Sequence, residues 1–141
     1  MHIKKTIYEQ LLTYCPAFPP ESGGILGGRN GVVTQFVLDL GLTTTRDDFY
    51  IPNVEYFNDV IAMWQTIGIA FYGILHTHPK NSKELSPADR AYILSVMQVM
   101  PKTIERLYFP LVFPRVGIRA YSAVRKENNI TLKTEDIILV L

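Results

Sequence analysis

In the stretch HTHPKNSKELSPAD, residues 76–89, two histidines stand one residue apart and an aspartate follows a short polar segment. The apolar run IAFYGILH before them has the length and composition of a strand. Side chains two apart on a strand share a face, roughly 6.6 Å apart along the chain. His76 and His78 can therefore converge on one ion at zinc–nitrogen distances of about 2.0–2.1 Å. The plain alternative is a pair of polar residues at a strand end, which a bare H-x-H more often is. SPAD also has a plain reading, with Ser86 as N-cap, Pro87 at the first helical position and Asp89 in an acidic first turn. Asp89 nevertheless shares a helical face with Tyr92, Ile93, Val96 and Met100, where an unpaired carboxylate is costly to bury. The intervening KNSKEL is long enough to swing that helix start back over the strand end.

Two imidazoles and one carboxylate leave a fourth tetrahedral position for water, the arrangement of a catalytic zinc. Such a water needs a base that is not itself a ligand. Glu21, in PPESGG, is favoured because prolines and glycines fix its backbone. Glu84 is nearer in sequence but sits on the polar loop, and it stays open as the alternative. Ser86 can accept a backbone N–H as a cap and still donate its own proton.

The elements that must carry these residues follow from the same chain. TIYEQLLTYC places Ile7, Leu11 and Tyr14 at helical spacing, predicting a helix over 5–15 that PAFPP (16–20) ends. GGILGG and VVTQFVLDL flank an Asn30-Gly31 turn, a hairpin signature. TTTRDD is a loop, and 53–67 is a helix with Val54, Phe57, Ile61, Trp64 and Ile67 on one face. IAFYGILH is a central strand covered on both faces. Residues 79–85 form a polar loop, and a helix from Ser86 ends before Pro101. RLYFPLVF, VGIRAYSAV and ITLKTEDIILVL read as three strands, or two and a terminal segment. Pro110 argues for an edge strand or a bulge.

Composition bounds the classes. The 141 residues, 48% hydrophobic and 19% charged, fit one globular domain over 1–141 rather than a disordered chain. A net charge of +1 gives no bulk electrostatic case for nucleic acid or an anionic membrane. No apolar run approaches a membrane span, MHIKKTIYEQ lacks a signal-peptide block, and the expected location is cytoplasmic. The single Cys15 excludes intramolecular disulfides and multi-cysteine zinc sites, including the P-C-x-x-C scheme of zinc deaminases. GGILGGRNG lacks the GK[ST] ending of a phosphate loop.

Glu21, His76, His78, Pro79, Ser86 and Asp89 together form a glutamate before a strand, then H-T-H-P, six residues and S-x-x-D. This pattern resembles the JAMM motif of the JAB/MPN metallopeptidase family, and the resemblance covers most of the chain. It implies an α+β, cytidine-deaminase-like JAB/MPN domain whose central mixed or largely antiparallel sheet is flanked by helices. It further implies that His76, His78 and Asp89 carry one Zn2+ per chain, that Glu21 is general base and acid, and that Ser86 stabilises the oxyanion. The implied reaction is hydrolysis of a peptide or isopeptide bond at the C-terminal tail of a ubiquitin-like or sulfur-carrier protein. With no room after Asp89 for a large insertion, the chain looks like the compact prokaryotic members rather than linkage-specific deubiquitinases. The rival reading is a non-catalytic scaffold of the same fold that binds protein partners. Such relatives usually lack motif residues that this chain retains. The oligomeric state is not legible.

Overall fold

A computed structural model describes residues 1–16, 21–42, 50–79 and 82–141. Residues 17–20, 43–49 and 80–81 lie outside the described residues, and with them most of PAFPP, the TTTRDD loop and part of KNSKEL.

The chain runs β1 (His2–Lys4), α1 (Lys5–Tyr14), β2 (Gly23–Arg29), β3 (Val32–Asp39), α2 (Val54–Thr66), β4 (Ala70–Thr77) and α3 (Pro87–Val99). It closes with β5 (Arg106–Tyr108), β6 (Leu111–Phe113), β7 (Gly117–Lys126), β8 (Asn129–Glu135) and β9 (Ile138–Val140). The nine strands among the described residues join one mixed sheet: β8 lies on β7, and the order continues through β5 and β6 to β4, β2, β3, β1 and β9. The expected hairpin is present. Asn30 and Gly31 both take positive φ, 53° and 78°, as a two-residue turn that follows the strand twist requires.

β4 lies near the middle and is covered on both faces, as its continuous apolar run predicts. Ile74 joins a core with Phe57, Val60 and Trp64 of α2 and Ile93, Val96 and Met97 of α3. Leu75 points the other way, into a second core with Leu11 of α1, Ile3, Leu26 and Val33. The alternation that separates Ile74 from Leu75 puts His76 and His78 on the α2/α3 side.

Some expectations are corrected. Tyr14 does not join the inward stripe of α1; it is 60% exposed, and Tyr8 and Leu12 pack beside Leu11 instead. Val54 and Ile67 at the two ends of α2 are also exposed, so the buried stripe is Phe57, Val60 and Trp64. Pro110 does not mark an edge. It separates β5 from β6, two short pieces that both run between β4 and β7. A residue without an N–H is tolerated at that break, and its carbonyl accepts the His76 N–H at 3.3 Å. Among the described residues no helix is long and apolar enough to cross a membrane.

Candidate metal centre

Three elements deliver the polar side chains to one place. The end of β4 carries His76 and extends to His78, whose own N–H donates to the Val112 carbonyl at 3.0 Å. The start of α3 carries Asp89 through a reciprocal cap: the Asp89 N–H donates to Ser86 Oγ at 3.0 Å, and the Ser86 N–H donates to Asp89 Oδ2 at 2.8 Å. Glu21 stands two residues before β2. There the Thr77 hydroxyl accepts the Ser22 N–H at 2.9 Å while the Thr77 N–H donates to the Ser22 carbonyl at 2.8 Å. Thr77, between the two histidines and fully buried, thus locks the Glu21 segment to the strand that bears them.

The ligand atoms converge. His76 Nε2 and His78 Nε2 are 3.0 Å apart, His76 Nε2 is 3.3 Å from Asp89 Oδ1, and His78 Nε2 is 3.4 Å from Asp89 Oδ2. A tetrahedral ion with bonds of about 2.0–2.1 Å has ligand–ligand edges of about 3.3–3.4 Å. The two carboxylate edges run to different oxygens of Asp89; with one ligand atom taken from each residue the three lie within 4.8 Å of one another, close enough to share an ion, and the donor set fits zinc. His78 Nδ1 donates to the Ser82 carbonyl at 2.8 Å, which fixes the tautomer with the Nε2 lone pair turned into the triangle. Glu21 Oε1 lies 3.7 Å from His78 Nε2, close to the triangle but outside it. Its other oxygen, Oε2, accepts the Tyr50 N–H at 3.2 Å.

A cavity of about 180 Å3 opens beside this group, lined by Glu21, His76 and Asp89 on its polar side and by Tyr50, Ile74 and Phe109 among its apolar walls. The Tyr50 ring lies directly on Gly23, where a Cβ would come within 2.3 Å of the ring. Ile74 and Tyr92 also line a second, apolar groove of about 250 Å3 between α2 and α3, so the two spaces adjoin.

No family model matches the chain, and no curated protein matches its sequence. Solved structures do. The solution structure of a protein from Desulfitobacterium hafniense superposes with a TM-score of 0.69 at 20% identity, over 99% of this chain and 92% of that one. One from Salinibacter ruber superposes with a TM-score of 0.59 at 17% identity, again over 99% and 92%. A JAB1/MPN domain protein from Archaeoglobus fulgidus superposes with a TM-score of 0.54 at 21% identity over 100% of both chains. The chain has the JAB1/MPN fold.

On this JAB1/MPN fold the site's charges are tuned by their neighbours. Burial pushes the Glu21 carboxyl up, outweighing the nearby imidazoles and the Tyr50 N–H that pull it down. Burial would raise Asp89 too, but the His76 and His78 imidazoles in their protonated form and the Ser86 N–H hold it well below the usual carboxylate range. Burial disfavours a charged His78, yet Asp89, the Ser82 carbonyl and Glu21 prevail and raise its pKa above the ordinary value. Glu84, the alternative base, turns elsewhere: it pairs with Arg119 at 3.3 Å and accepts from the Tyr121 hydroxyl at 3.1 Å.

A pH dependence follows. Protons and metal compete for His78 Nε2, and a raised pKa starts that competition at a higher pH than for a free imidazole. Zinc added to chelator-treated protein is expected to bind one ion per chain at pH 7.5. Its apparent affinity should fall as pH drops toward and below ~6.5, while Asp89 stays ionised throughout. Equilibrium dialysis across that range checks it, and absence of zinc uptake at pH 7.5 would remove the site.

Proposed function

We propose that the protein is a zinc-dependent hydrolase of peptide or isopeptide bonds, acting at the C-terminal tail of a ubiquitin-like or sulfur-carrier protein. The observation that carries this reading is Glu21: a carboxylate adjacent to the His76–His78–Asp89 cluster that could hold a metal ion, outside it, with a raised pKa. A structural metal site has no use for such a group. His76, His78 and Asp89 would hold the zinc, which when bound would supply a polarised carbonyl and a water acidified toward neutrality. Glu21 Oε1, which faces His78, would take a proton from an attacking water and pass it to the leaving amine, a task suited to a carboxyl whose pKa burial raises. The Ser86 hydroxyl accepts from Asp89 N–H, and that bond does not spend its own proton, which is available to a developing oxyanion.

The walls support a tail substrate. Tyr50 packed on Gly23 narrows one side of the cavity and favours residues without bulky side chains near the scissile bond. The adjoining α2/α3 groove offers an apolar surface to the folded body that carries the tail. Fusions ending in Gly-Gly at the junction to a reporter, made with a ubiquitin and with a bacterial sulfur carrier, should be cut after the second glycine. Replacing that glycine by leucine should nearly abolish cleavage, as intact-mass measurement would show. Equal cleavage of both junctions would refute the tail specificity, and no cleavage by zinc-loaded protein would refute the hydrolase.

A further inference from the structure

The carboxylate of Glu21 is aimed by a backbone amide, and that amide is held by a residue outside the motif. Asp39 ends β3, opposite Gly23 in the β2–β3 register. Its Oδ1 accepts the Gly41 N–H at 3.0 Å, and its Oδ2 accepts both the Tyr50 hydroxyl and the Asn53 N–H at 2.9 Å. One side chain thus ties together the turn after β3, where Gly41 has φ 85°, the Tyr50 ring, and the N-cap residue of α2. Tyr50 is pinned at both ends: its hydroxyl on Asp39 and its ring face on Gly23. In that pose its N–H meets Glu21 Oε2 at 3.2 Å, leaving Oε1 toward His78.

We propose that Asp39 is a positioning residue for Glu21, acting through Tyr50. The inference rests on the reading of Glu21 as the base. Aspartate suits the task because it is acceptor-only, with two oxygens for three donors, and a charged acceptor makes each bond stronger. An asparagine would turn an NH2 toward one set of those donors. Held at one oxygen, Glu21 keeps the other free to exchange a proton without first reorienting.

The test uses full-length, zinc-loaded protein with Asp39→Ala, the milder Asp39→Asn, and each combined with Glu21→Gln. Asp39→Ala should speed hydrogen exchange at the Tyr50 and Asn53 amides by about tenfold or more, with Asp39→Asn in between. Zinc affinity should hold, because no ligand is touched. On the Gly-Gly fusion kcat should fall by about 10–10²-fold with KM unchanged. In the Glu21→Gln background the same replacement should cost nothing further, since the group it positions is gone. A Tyr50 amide as protected as in wild type, or a full additional loss on top of Glu21→Gln, would overturn the proposal. A wild-type protein that cuts no substrate would instead sink the hydrolase reading. The Tyr50 amide would then decide alone whether Asp39 holds the segment that aims Glu21.

Discussion

Glu21→Gln is expected to keep its zinc and its melting temperature while hydrolysis falls by roughly 10²–10⁴-fold, the usual contribution of a positioned general base. Glutamine retains the length of the side chain and a carbonyl that can still accept the Tyr50 N–H. What it loses is the ability to take a proton. Because Glu21 stands outside the ligand triangle, metal content should not change. Parallel measurement of bound zinc, unfolding temperature and kcat separates the outcomes. A variant that loses its zinc would make Glu21 a ligand. A fully active variant would move the base elsewhere, although Glu84 is already engaged with Arg119 and Tyr121.

The second large effect belongs to His78→Ala, which should abolish activity and reduce zinc affinity by more than the roughly 10–100-fold typical of losing an outer partner. The change removes one ligand nitrogen and also the Nδ1–H bond that ties the Ser82 carbonyl ahead of α3. Asp89 loses one of its two imidazole neighbours at the same time. The metal-free variant should therefore melt below metal-free wild type, a difference that metal loss alone does not produce. Zinc titration and thermal unfolding with and without chelator test both halves. Wild-type zinc affinity in this variant would disprove the ligand assignment.

The His76–His78–Asp89 cluster was readable because few side chains can hold a metal: imidazoles two apart on a strand and a carboxylate on the apolar side of a helix start leave little choice. The groups that orient them were not readable. Ser82 holds His78 through a carbonyl and Tyr50 holds Glu21 through an amide, and any residue at those positions carries the same backbone. Asp39, in VLDLG, looks like an ordinary strand exit until the fold brings Tyr50 and Asn53 to it. Thr77 reads only as the spacer of H-T-H. The helices α2 and α3 and the Asn30-Gly31 hairpin follow from local pattern and turn chemistry, which act over a few residues. The strand order does not, because it depends on pairings between distant segments. β1 is too short for periodicity to show. Pro110 points to an edge strand or a bulge, whereas its actual place between β5 and β6 depends on the neighbours, here β4 and β7.

The parallel pairing of β1 with β9 sets His2 beside Ile138 and Ile3 beside Leu139. Bringing such remote segments together carries a high loop-closure cost and is repaid only once the material between them is ordered. The β2–β3 and β7–β8 ribbons, each joined by a tight connection, need no such wait. Assembly is therefore expected to start from the two ribbons, seat β4 beside β2, and zip the β1–β9 margin last. The metal ligands would then take up their positions early, on a body that still exposes the β3 flank to other chains. That interval is the one in which freshly made protein is most prone to stray strand pairing.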